Sequence, residues 1–562
     1  SVVVEALGSG NSRGAVCVSV CLNPRTAKSE FLRTLVLGLV ATHDPDALNL
    51  VLVDFKGGAT FLGLEPMAHV SAVITNLQAE ITMVDRMRDA LEGELTRRQE
   101  VLRAAGNFSN VGEYEAARAK GATLDPLPAL VIVVDEFSEL LTSKPEFAEL
   151  FLTIGRLGRS LHIHLLLASQ RLEEGRLRGL DSHLSYRIAL KTFSATESRS
   201  VLGVTDAYHL PATPGAGYLK VDAGDPVRFD ATYVSGPYQE ERRLDGSSVA
   251  TPSARPVVRP FTSWYMPVPA PLAGPEGGAD ASRAARTAEE APEEQVSLLE
   301  VLVGRLAGHG RPAHEVWLPP LGRGAPLDAA VGTEPTDHGR GPRPALRFPM
   351  AEADLPFEQR RESWYVDLSG ADGHVAVVGG TRSGKSTALC TLVLAAAATT
   401  SPDRLAVYIV DLGGGLMQSV AELPHVGGVA RRGDGERIRR TVAEVDAERR
   451  RREAGFRRSG LASVDQARER MVERDGRPVV EYPEIFLVID GWQAFRTDFD
   501  DLEQTVLGLA SDGLSYGVHV VLTAARWADL RPALRDALGS LLELRLGDPT
   551  DSMIDRRAAM TV

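Results

Sequence analysis

Residues 379–387 have the composition and spacing of a loop that binds phosphate groups. Gly379 and Gly384 bracket the loop, and Lys385 and Ser386 follow directly, after a buried run of valine and alanine. This spacing matches the phosphate loop of nucleotide triphosphatases, in which glycines let backbone N–H groups turn toward an anion at a helix start. Lys385 is expected to reach the β- and γ-phosphates of ATP, and Ser386 to ligate Mg²⁺. The predicted nucleotide-binding residues of this loop are Gly379, Gly380, Thr381, Arg382, Ser383, Gly384, Lys385, Ser386 and Thr387.

An altered version of the same loop lies at residues 22–29. Lys28 and Ser29 are present and an apolar helix is predicted over residues 30–40, but Leu22 and Ala27 stand at the two glycine positions. Pro24 also removes one backbone N–H from the loop. An alanine held in a glycine conformation costs about 1 kcal/mol. Two interpretations stay open, a weak ATP site or a relic loop; the candidate binding residues are Thr26, Ala27, Lys28 and Ser29.

Each loop has a partner strand that ends in a carboxylate. The apolar run at residues 130–134 is followed by Asp135 and Glu136, and the run at 485–489 by Asp490 and Gly491. The aspartates are expected to hold Mg²⁺ together with Ser29 in the first half and Ser386 in the second. Glu136 is expected to polarise the attacking water as general base. The second half keeps the metal-side carboxylate and lacks the base.

The tip of the next strand carries another difference between the halves. Gln170 is placed where it can sense the γ-phosphate, whereas Ala525 stands in the corresponding run of the second half. The sequence therefore predicts that the first half hydrolyses nucleotide with a poor phosphate loop. The second half would hold nucleotide without hydrolysing it.

Ring-forming nucleotide triphosphatases complete each site with an arginine from the neighbouring subunit. Arg86, on a helix predicted over residues 77–105, is the first candidate, and Arg199 is the second. The alternative for each is an ordinary solvated or ion-paired arginine.

These motifs recur at a nearly constant distance along the chain, which indicates a duplicated domain. Lys28 and Asp54 recur shifted by 357 residues, as Lys385 and Asp411, and Asp135 recurs shifted by 355, as Asp490. The elements required are a strand, a phosphate-loop helix, a second strand ending in aspartate, a long helix and a third such strand. The predicted fold is α/β, with two tandem RecA-like P-loop NTPase domains, each a parallel sheet flanked by helices. We expect the first ATPase domain at residues 1–239, a Pro-rich linker with partly docked segments at 240–346, and the second domain at 347–562.

Composition excludes several classes of protein. Of the 562 residues, 44% are hydrophobic and 24% are charged, as in globular proteins. No apolar run reaches the roughly 18 residues of a membrane span. The formal charge of −13 disfavours a general nucleic-acid surface, and three cysteines provide no disulfide framework. No nucleic-acid partner is expected.

Further motifs make the chain resemble a known family. The first half carries DFKGG at 54–58, GRLGRS at 155–160 and LLLASQR at 165–171, and the second carries DLGGG at 411–415 and IDGW at 489–492. With these motifs the chain resembles the FtsK/SpoIIIE family of ring translocases, and within it the EccC ATPases of type VII (ESX) secretion systems. The phosphate loop of the first half departs from the ordinary glycine pattern of that family.

The resemblance implies an ATP- and Mg²⁺-dependent protein-export motor whose first domain hydrolyses and whose second is mainly regulatory. It implies assembly into a ring or other multimer with further secretion-machine subunits. It also implies a cytoplasmic location, a membrane anchor upstream, and a downstream domain that reads helical-hairpin substrates.

Two other functions remain open from the residues. A DNA-translocating motor of the same superfamily would need basic pore loops and usually a winged-helix reader, neither of which is recognised in the sequence. A non-hydrolysing ATP-dependent scaffold is favoured if the first phosphate loop does not bind nucleotide.

Overall fold

The computed structural model describes most of the chain outside its first residues, the altered phosphate loop and the Pro-rich stretch. The described ranges are 17–21, 28–55, 60–75, 81–170, 184–221, 224–238, 296–322, 324, 326–331, 346–469, 473–474, 477–478, 482–556 and 559. Thr26 and Ala27, two of the predicted nucleotide-binding residues, lie outside them.

The chain divides into two compact units. Unit 1 comprises residues 1–318 and 356–359, and unit 2 comprises residues 319–355 and 360–562. Each is described by itself below.

Unit 1 is built on a mixed eight-stranded sheet. Its strands are β1 (Cys17–Cys21), β2 (Leu48–Asp54), β3 (Val70–Ile74), β4 (Ala129–Asp135), β5 (Ile163–Ser169), β6 (Tyr186–Leu190), β7 (Ala216–Val221) and β8 (Val227–Asp230). They lie in the order β3-β2-β4-β5-β1-β6-β7-β8. The first six are parallel, and β7 and β8 add antiparallel pairs.

The described helices of unit 1 follow the strands. They are α1 (Lys28–Thr42), α2 (Ile81–Ala104), α3 (Val111–Ala119), α4 (Phe137–Ser143), α5 (Phe147–Leu161), α6 (Ala195–Leu202) and α7 (Leu298–Leu306). Helix α1 begins at the lysine of the altered phosphate loop, earlier than the sequence predicted. Helix α7 opens with a capping box in which Ser297 and Glu300 bond each other's backbone N–H groups.

Unit 2 has a six-stranded parallel sheet in the order β13-β12-β16-β17-β11-β18. Its strands are β11 (Val375–Val378), β12 (Leu405–Asp411), β13 (Val426–Arg431), β16 (Glu484–Asp490), β17 (Val518–Ala524) and β18 (Ser540–Glu543). Two antiparallel pairs stand apart from this sheet: β9 (Arg347–Leu355) with β10 (Arg360–Asp367), and β14 (Glu473–Arg474) with β15 (Arg477–Pro478).

The described helices of unit 2 include the long basic helix of the second half. They are α8 (Leu327–Val331), α9 (Lys385–Thr399), α10 (Gly435–Ser459), α11 (Val464–Glu469), α12 (Trp492–Asp498), α13 (Glu503–Asp512) and α14 (Pro532–Ala537). Within the described residues, no helix of either unit is long and apolar enough to span a bilayer.

The two sheets share the strand order that a duplication requires. Six strands of unit 1 have a counterpart in unit 2 at the same place in the sheet: the order β3-β2-β4-β5-β1-β6 corresponds to β13-β12-β16-β17-β11-β18. Asp54 is the register partner of Asp135, and Asp411 of Asp490. The prediction of two parallel-stranded α/β domains with a P-loop architecture is confirmed.

The central strands are mostly apolar because both faces of each sheet are covered. In β4, Leu130, Ile132 and Val134 enter one hydrophobic cluster, and Val131 and Val133 enter another. Strand β16 splits its residues between two clusters in the same way. Alternation of this kind fixes the register, so that the polar residues after each strand emerge at the carboxyl edge of the sheet.

Candidate nucleotide-binding sites

The phosphate loop of unit 2 needs its glycines at three positions. Gly384 has φ of 98°, a left-handed conformation that side chains rarely adopt. A Cβ on Gly379 would lie 2.5 Å from Ser383 Oγ, and one on Gly380 would lie 3.0 Å from the backbone N of Gly547. The loop thus packs closely against the Ser383 side chain at Gly379 and against backbone at Gly380. Within it, Thr381, Arg382 and Thr387 are exposed.

The lysine and the serine of this loop have different partners. Lys385 donates to the carbonyl oxygens of Gly379 and Gly380, both at 2.6 Å, and its burial lowers the pKa of the ammonium group. Ser386 donates to Asp490 at 2.7 Å, and Thr523 of β17 donates to the other oxygen of the same carboxylate, also at 2.7 Å. At the end of β16, the Asp490 carboxylate therefore accepts a hydrogen bond from one hydroxyl on each of its two oxygens.

In unit 1 the corresponding lysine lies among the carboxylates. Lys28 Nζ is 2.6 Å from Asp135 Oδ1 and also contacts Glu136 Oε1. Lys28 is only 7% exposed, and the two acids are buried. Burial raises the pKa of Asp135, against the opposing effect of the Lys28 charge. The three charges form one buried ion cluster.

A threonine that the sequence analysis did not single out joins this cluster. Thr60 donates from its hydroxyl to Asp135 Oδ2 at 3.0 Å, and its hydroxyl lies 3.1 Å from that of Ser29. Its backbone N donates to Asp54 at 3.2 Å, and its carbonyl accepts from Arg33 Nε at 2.8 Å. Thr60 follows Asp54 by the same interval as Met417 follows Asp411, so the two residues are equivalent although methionine has no hydroxyl.

The residue after each metal-side aspartate has an unusual backbone. Glu136 has φ of 59° and ψ of 40°, and Gly491 has φ of 96° and ψ of 59°. Both are left-handed and both begin a short helix. A non-glycine residue in this conformation is strained by about 1 kcal/mol or more.

The remaining predicted catalytic residues lie elsewhere in unit 1. Gln170 follows β5, which pairs directly with β4, and is half-buried. Arg86 lies on α2, where it donates to the carbonyl of Leu318 at 2.8 Å and stands 5.2 Å from the ring centroid of Trp317. Arg199 is exposed on α6. The two arginines therefore lie on helices other than the one that begins at Lys28.

The start of α1 is also tied to the segment that follows β8. Glu30 accepts from the backbone N of Val234 and of Ser235, both at 2.7 Å, and from the Ser235 hydroxyl at 2.5 Å. Glu30 stands directly after Ser29, so the segment at 234–235 is bonded to the first turn of the phosphate-loop helix.

A second repeated constellation was missed in the sequence. On α2, Arg98 bonds Glu94 at 2.7 Å and the carbonyl of Leu161 at 2.8 Å. On α10, Arg452 bonds Glu448 at 2.8 Å and the carbonyl of Tyr516 at 2.8 Å. Each arginine is buried and ties the long helix to the turn before the next strand. The shared signal is glutamate followed by two arginines, three and four residues later.

His164 is a packed residue of the unit 1 sheet. It is buried in β5, and desolvation lowers its pKa to about 4. It therefore stays neutral at physiological pH.

The residues present fit a magnesium nucleotide at both carboxyl edges. Mg²⁺ prefers oxygen ligands, and Ser386 with Asp490 supplies a hydroxyl and a carboxylate in direct contact. Ser29 and Asp135 would hold the ion in unit 1. There Lys28 is bonded to the same carboxylate.

Two sheets with parallel central strands, each with a lysine-serine helix start beside a strand that ends in aspartate, define a tandem P-loop nucleotide triphosphatase. The model of the FtsK/SpoIIIE family matches residues 20–174 and 345–562. The chain belongs to the FtsK/SpoIIIE family.

Individual relatives share the full length of the chain. The chain is 50% identical over 572 aligned positions to the ESX secretion system protein EccC of Thermomonospora curvata, covering 100% of this chain and 42% of that protein. It is 50% identical to the ESX-4 secretion system protein EccC4 of Mycobacterium tuberculosis, covering 100% of this chain and 43% of that protein. The chain thus spans less than half the length of these relatives.

A solved structure is similar as well. The cytoplasmic domain of the Thermomonospora curvata type VII secretion ATPase EccC aligns with a TM-score of 0.81 at 48% identity, covering 97% of this chain and 58% of that one. The predicted resemblance to EccC is confirmed.

Proposed function

We propose that this chain is the ATP-binding and ATP-hydrolysing motor portion of a type VII secretion ATPase. Unit 1 is the hydrolytic domain, and unit 2 is a regulatory domain that holds nucleotide. The observation that carries this division is the pair Glu136 and Gly491, which occupy equivalent positions with and without a carboxylate.

In unit 1, Glu136 accepts the proton of the attacking water, and Gln170 contacts the γ-phosphate side of the site. Mg²⁺, when bound, neutralises charge on the phosphate oxygens. Lys28 leaves the carboxylates and binds the β- and γ-phosphates, which frees Glu136 to act as a base. The ion cluster of Lys28, Asp135 and Glu136 and the binding of phosphate by Lys28 are then mutually exclusive.

In unit 2, Lys385 would exchange the loop carbonyls for the phosphates of bound ATP, and Ser386 and Asp490 would hold the metal ion. No residue at position 491 can accept a proton from water, because it is glycine. Bound ATP therefore persists in unit 2. The three loop glycines support this assignment, since a Cβ would be crowded at Gly379 and Gly380 and a side chain would be strained at the positive φ of Gly384.

The hydrolytic site is completed by a neighbouring subunit, with Arg86 as the first candidate and Arg199 as the second. Arg86 is held by Leu318 and Trp317 here, so these contacts must open before it can reach another site. The complete protein acts at the inner face of the membrane, with other secretion subunits and helical-hairpin substrates read by a downstream domain.

The DNA-translocase alternative is less well supported. Several arginines of α10 bond carboxylates of their own helix, as in the pairs Arg449–Asp446 at 3.2 Å, Arg451–Glu448 at 2.6 Å and Arg457–Glu453 at 2.7 Å. Charges neutralised in this way attract phosphate weakly.

The test is the release of phosphate from ATP by the 562-residue chain at rising protein concentration. We expect slow hydrolysis that rises more than linearly with concentration, is lost in Glu136→Gln, and is unaffected by double-stranded DNA. The matched variant Glu139→Gln changes a carboxylate of the next helix, outside the site, and should retain activity. Hydrolysis that persists in Glu136→Gln would refute the assignment of the base. Stimulation by DNA would favour the translocase, and absence of all hydrolysis would favour the scaffold.

A further inference from the structure

The hydroxyl groups around the metal-side carboxylate differ between the units. In unit 2, Ser386 donates directly to Asp490, and the second hydroxyl comes from Thr523 on β17. In unit 1, the residue equivalent to Thr523 is Ala168, which has no hydroxyl. The second hydroxyl comes instead from Thr60, after β2, at the position that Met417 occupies in unit 2. The equivalence is direct, because Thr60 N donates to Asp54 and Met417 N donates to Asp411, each at 3.2 Å.

The contacts of the Thr60 hydroxyl allow only one assignment of donors and acceptors. Its O–H donates to Asp135, so its single proton is committed. The contact with Ser29 at 3.1 Å is then made by the Ser29 proton, which Thr60 Oγ1 accepts. Ser29 and Asp135 are connected through this threonine, whereas Ser386 and Asp490 touch directly.

The backbone of Thr60 is held as firmly as its side chain. Asp54 accepts from its N–H, and Arg33 Nε donates to its carbonyl at 2.8 Å. Thr60 is 4% exposed. Because the backbone N–H, the carbonyl and the hydroxyl of this buried residue are all bonded, its hydroxyl is held in place.

We propose that Thr60 is a positioning residue of the unit 1 magnesium site, which holds Ser29 and Asp135 in place of the direct bond found in unit 2. By accepting the Ser29 proton, it leaves the Ser29 oxygen lone pairs for the metal ion. This inference rests on the proposed function of unit 1 as the hydrolytic domain.

The test measures nucleotide affinity rather than turnover alone. In a chain carrying Lys385→Ala, to remove binding at unit 2, the Kd of a fluorescent ATP analogue is measured with Mg²⁺ and with EDTA. We expect Thr60→Val to reduce the tightening by Mg²⁺ about tenfold, the effect of losing one hydrogen bond to a charged group. Thr60→Ser keeps the hydroxyl and should restore the tightening, and the control Thr153→Val, on α5, should leave it unchanged.

Two outcomes would overturn the inference. One is an equal effect of Mg²⁺ on Thr60→Val and on the parent chain. The other is failure of Thr60→Ser to restore it while hydrogen exchange shows the sheet of unit 1 intact. Failure of the proposed function looks different, since hydrolysis would then survive Glu136→Gln whatever Thr60 does to magnesium affinity.

Discussion

Glu136 and Gly491 share a left-handed backbone, with φ of 59° and 96°, at the same position of the two units. The turn after the strand that ends in aspartate therefore has the same conformation in both units, with glutamate in unit 1 and glycine in unit 2. Unit 1 bears the strain of a side chain there and gains a carboxylate beside Asp135. Unit 2 has glycine, which adopts this conformation without strain but has no carboxylate that could act as a base.

Replacing Gly491 with alanine should destabilise unit 2 by about 1–2 kcal/mol, because alanine is strained at this φ. The added Cβ would also lie 3.3 Å from the backbone of Leu412. The measurement is hydrogen exchange of β16 and β17 amides, which reports the opening free energy of unit 2. Gly508→Ala, in α13 with open space around it, is the matched control and should be neutral or stabilising. Equal effects of the two variants would contradict the argument from strain.

Replacing Lys28 with methionine should destabilise nucleotide-free unit 1 by about 3–5 kcal/mol, because two buried carboxylates lose their counter-charge. The measurement is hydrogen exchange of β4 and β5 in EDTA. Adding Glu136→Gln to this variant should recover part of the loss.

The control for Lys28 is Lys144→Met, which breaks a more exposed pair with Asp85 and should change stability by less than about 1 kcal/mol. A Lys28→Met variant as stable as its control would mean that the cluster contributes nothing.

Much of the fold followed from the sequence because local signals and spacing agreed. Asp135 and Asp490 each end an uninterrupted apolar run, and such runs form buried parallel strands. Lys385 was recognisable from the loop glycines. Thr60 was not, because its role depends on Ser29 and Asp135, which lie 31 and 75 residues away.

The contact of Lys28 with the carboxylates was also unpredictable, since a phosphate-loop lysine is expected on phosphate. The pairs Glu94–Arg98 and Glu448–Arg452 follow an ordinary helical spacing, which by itself suggests a solvent-exposed pair. Only the packing against the carbonyls of Leu161 and Tyr516 makes these arginines buried anchors.

The purified chain should retain ATP in unit 2 and not in unit 1. Gly379, Gly380 and Gly384 shape a complete phosphate loop in unit 2, which favours binding of ATP. Position 491 has no carboxylate to act as a base, so the bound ATP is not hydrolysed. Chromatography of the nucleotide released by denaturation measures identity and amount. Lys385→Ala should lose the bound ATP, and Lys28→Ala should keep it. A chain that loses its ATP only in Lys28→Ala would reverse the assignment of the two units.

If Arg86 serves a neighbouring site as proposed, Arg86→Ala should abolish hydrolysis without unfolding unit 1. Mixing it with Glu136→Gln should then restore about a quarter of wild-type activity, since hybrid sites combine Glu136 of one subunit with Arg86 of the next. Phosphate release from the two variants, separate and mixed, is the measurement. Arg88→Ala, on the same helix, should retain activity by itself. A mixture as inactive as its components would remove Arg86 as the shared residue.

Glu484 should make the stability of unit 2 sensitive to acid. Burial alone would raise the pKa of Glu484, but His519 and Arg468 outweigh it and lower the pKa to about 2, from 4.5. A carboxylate with a lowered pKa stabilises the folded state above pH 4.5, and this contribution is lost as the pH falls toward 2. The shift corresponds to about 3 kcal/mol.

The corresponding experiment compares Glu484→Gln with the parent chain by urea unfolding across this range. The difference in the free energy of unfolding should be largest at pH 7 and should vanish near pH 2. Glu453→Gln, which alters a partly exposed pair with Arg449 on α10, should show little dependence on pH. A constant difference between Glu484→Gln and the parent would show that the carboxylate charge is irrelevant there.

The Glu30 carboxylate accepts hydrogen bonds from residues 234 and 235, which joins the start of α1 to the segment that follows β8. That segment is bonded in turn to the first residues of α7, because the carbonyls of Val234 and Gly236 accept from Leu299 N and Leu298 N. A displacement of Lys28 and Ser29 on nucleotide binding would therefore change the contacts of α7. By thermodynamic reciprocity, a partner bound to α7 would change the affinity for nucleotide by the same free energy.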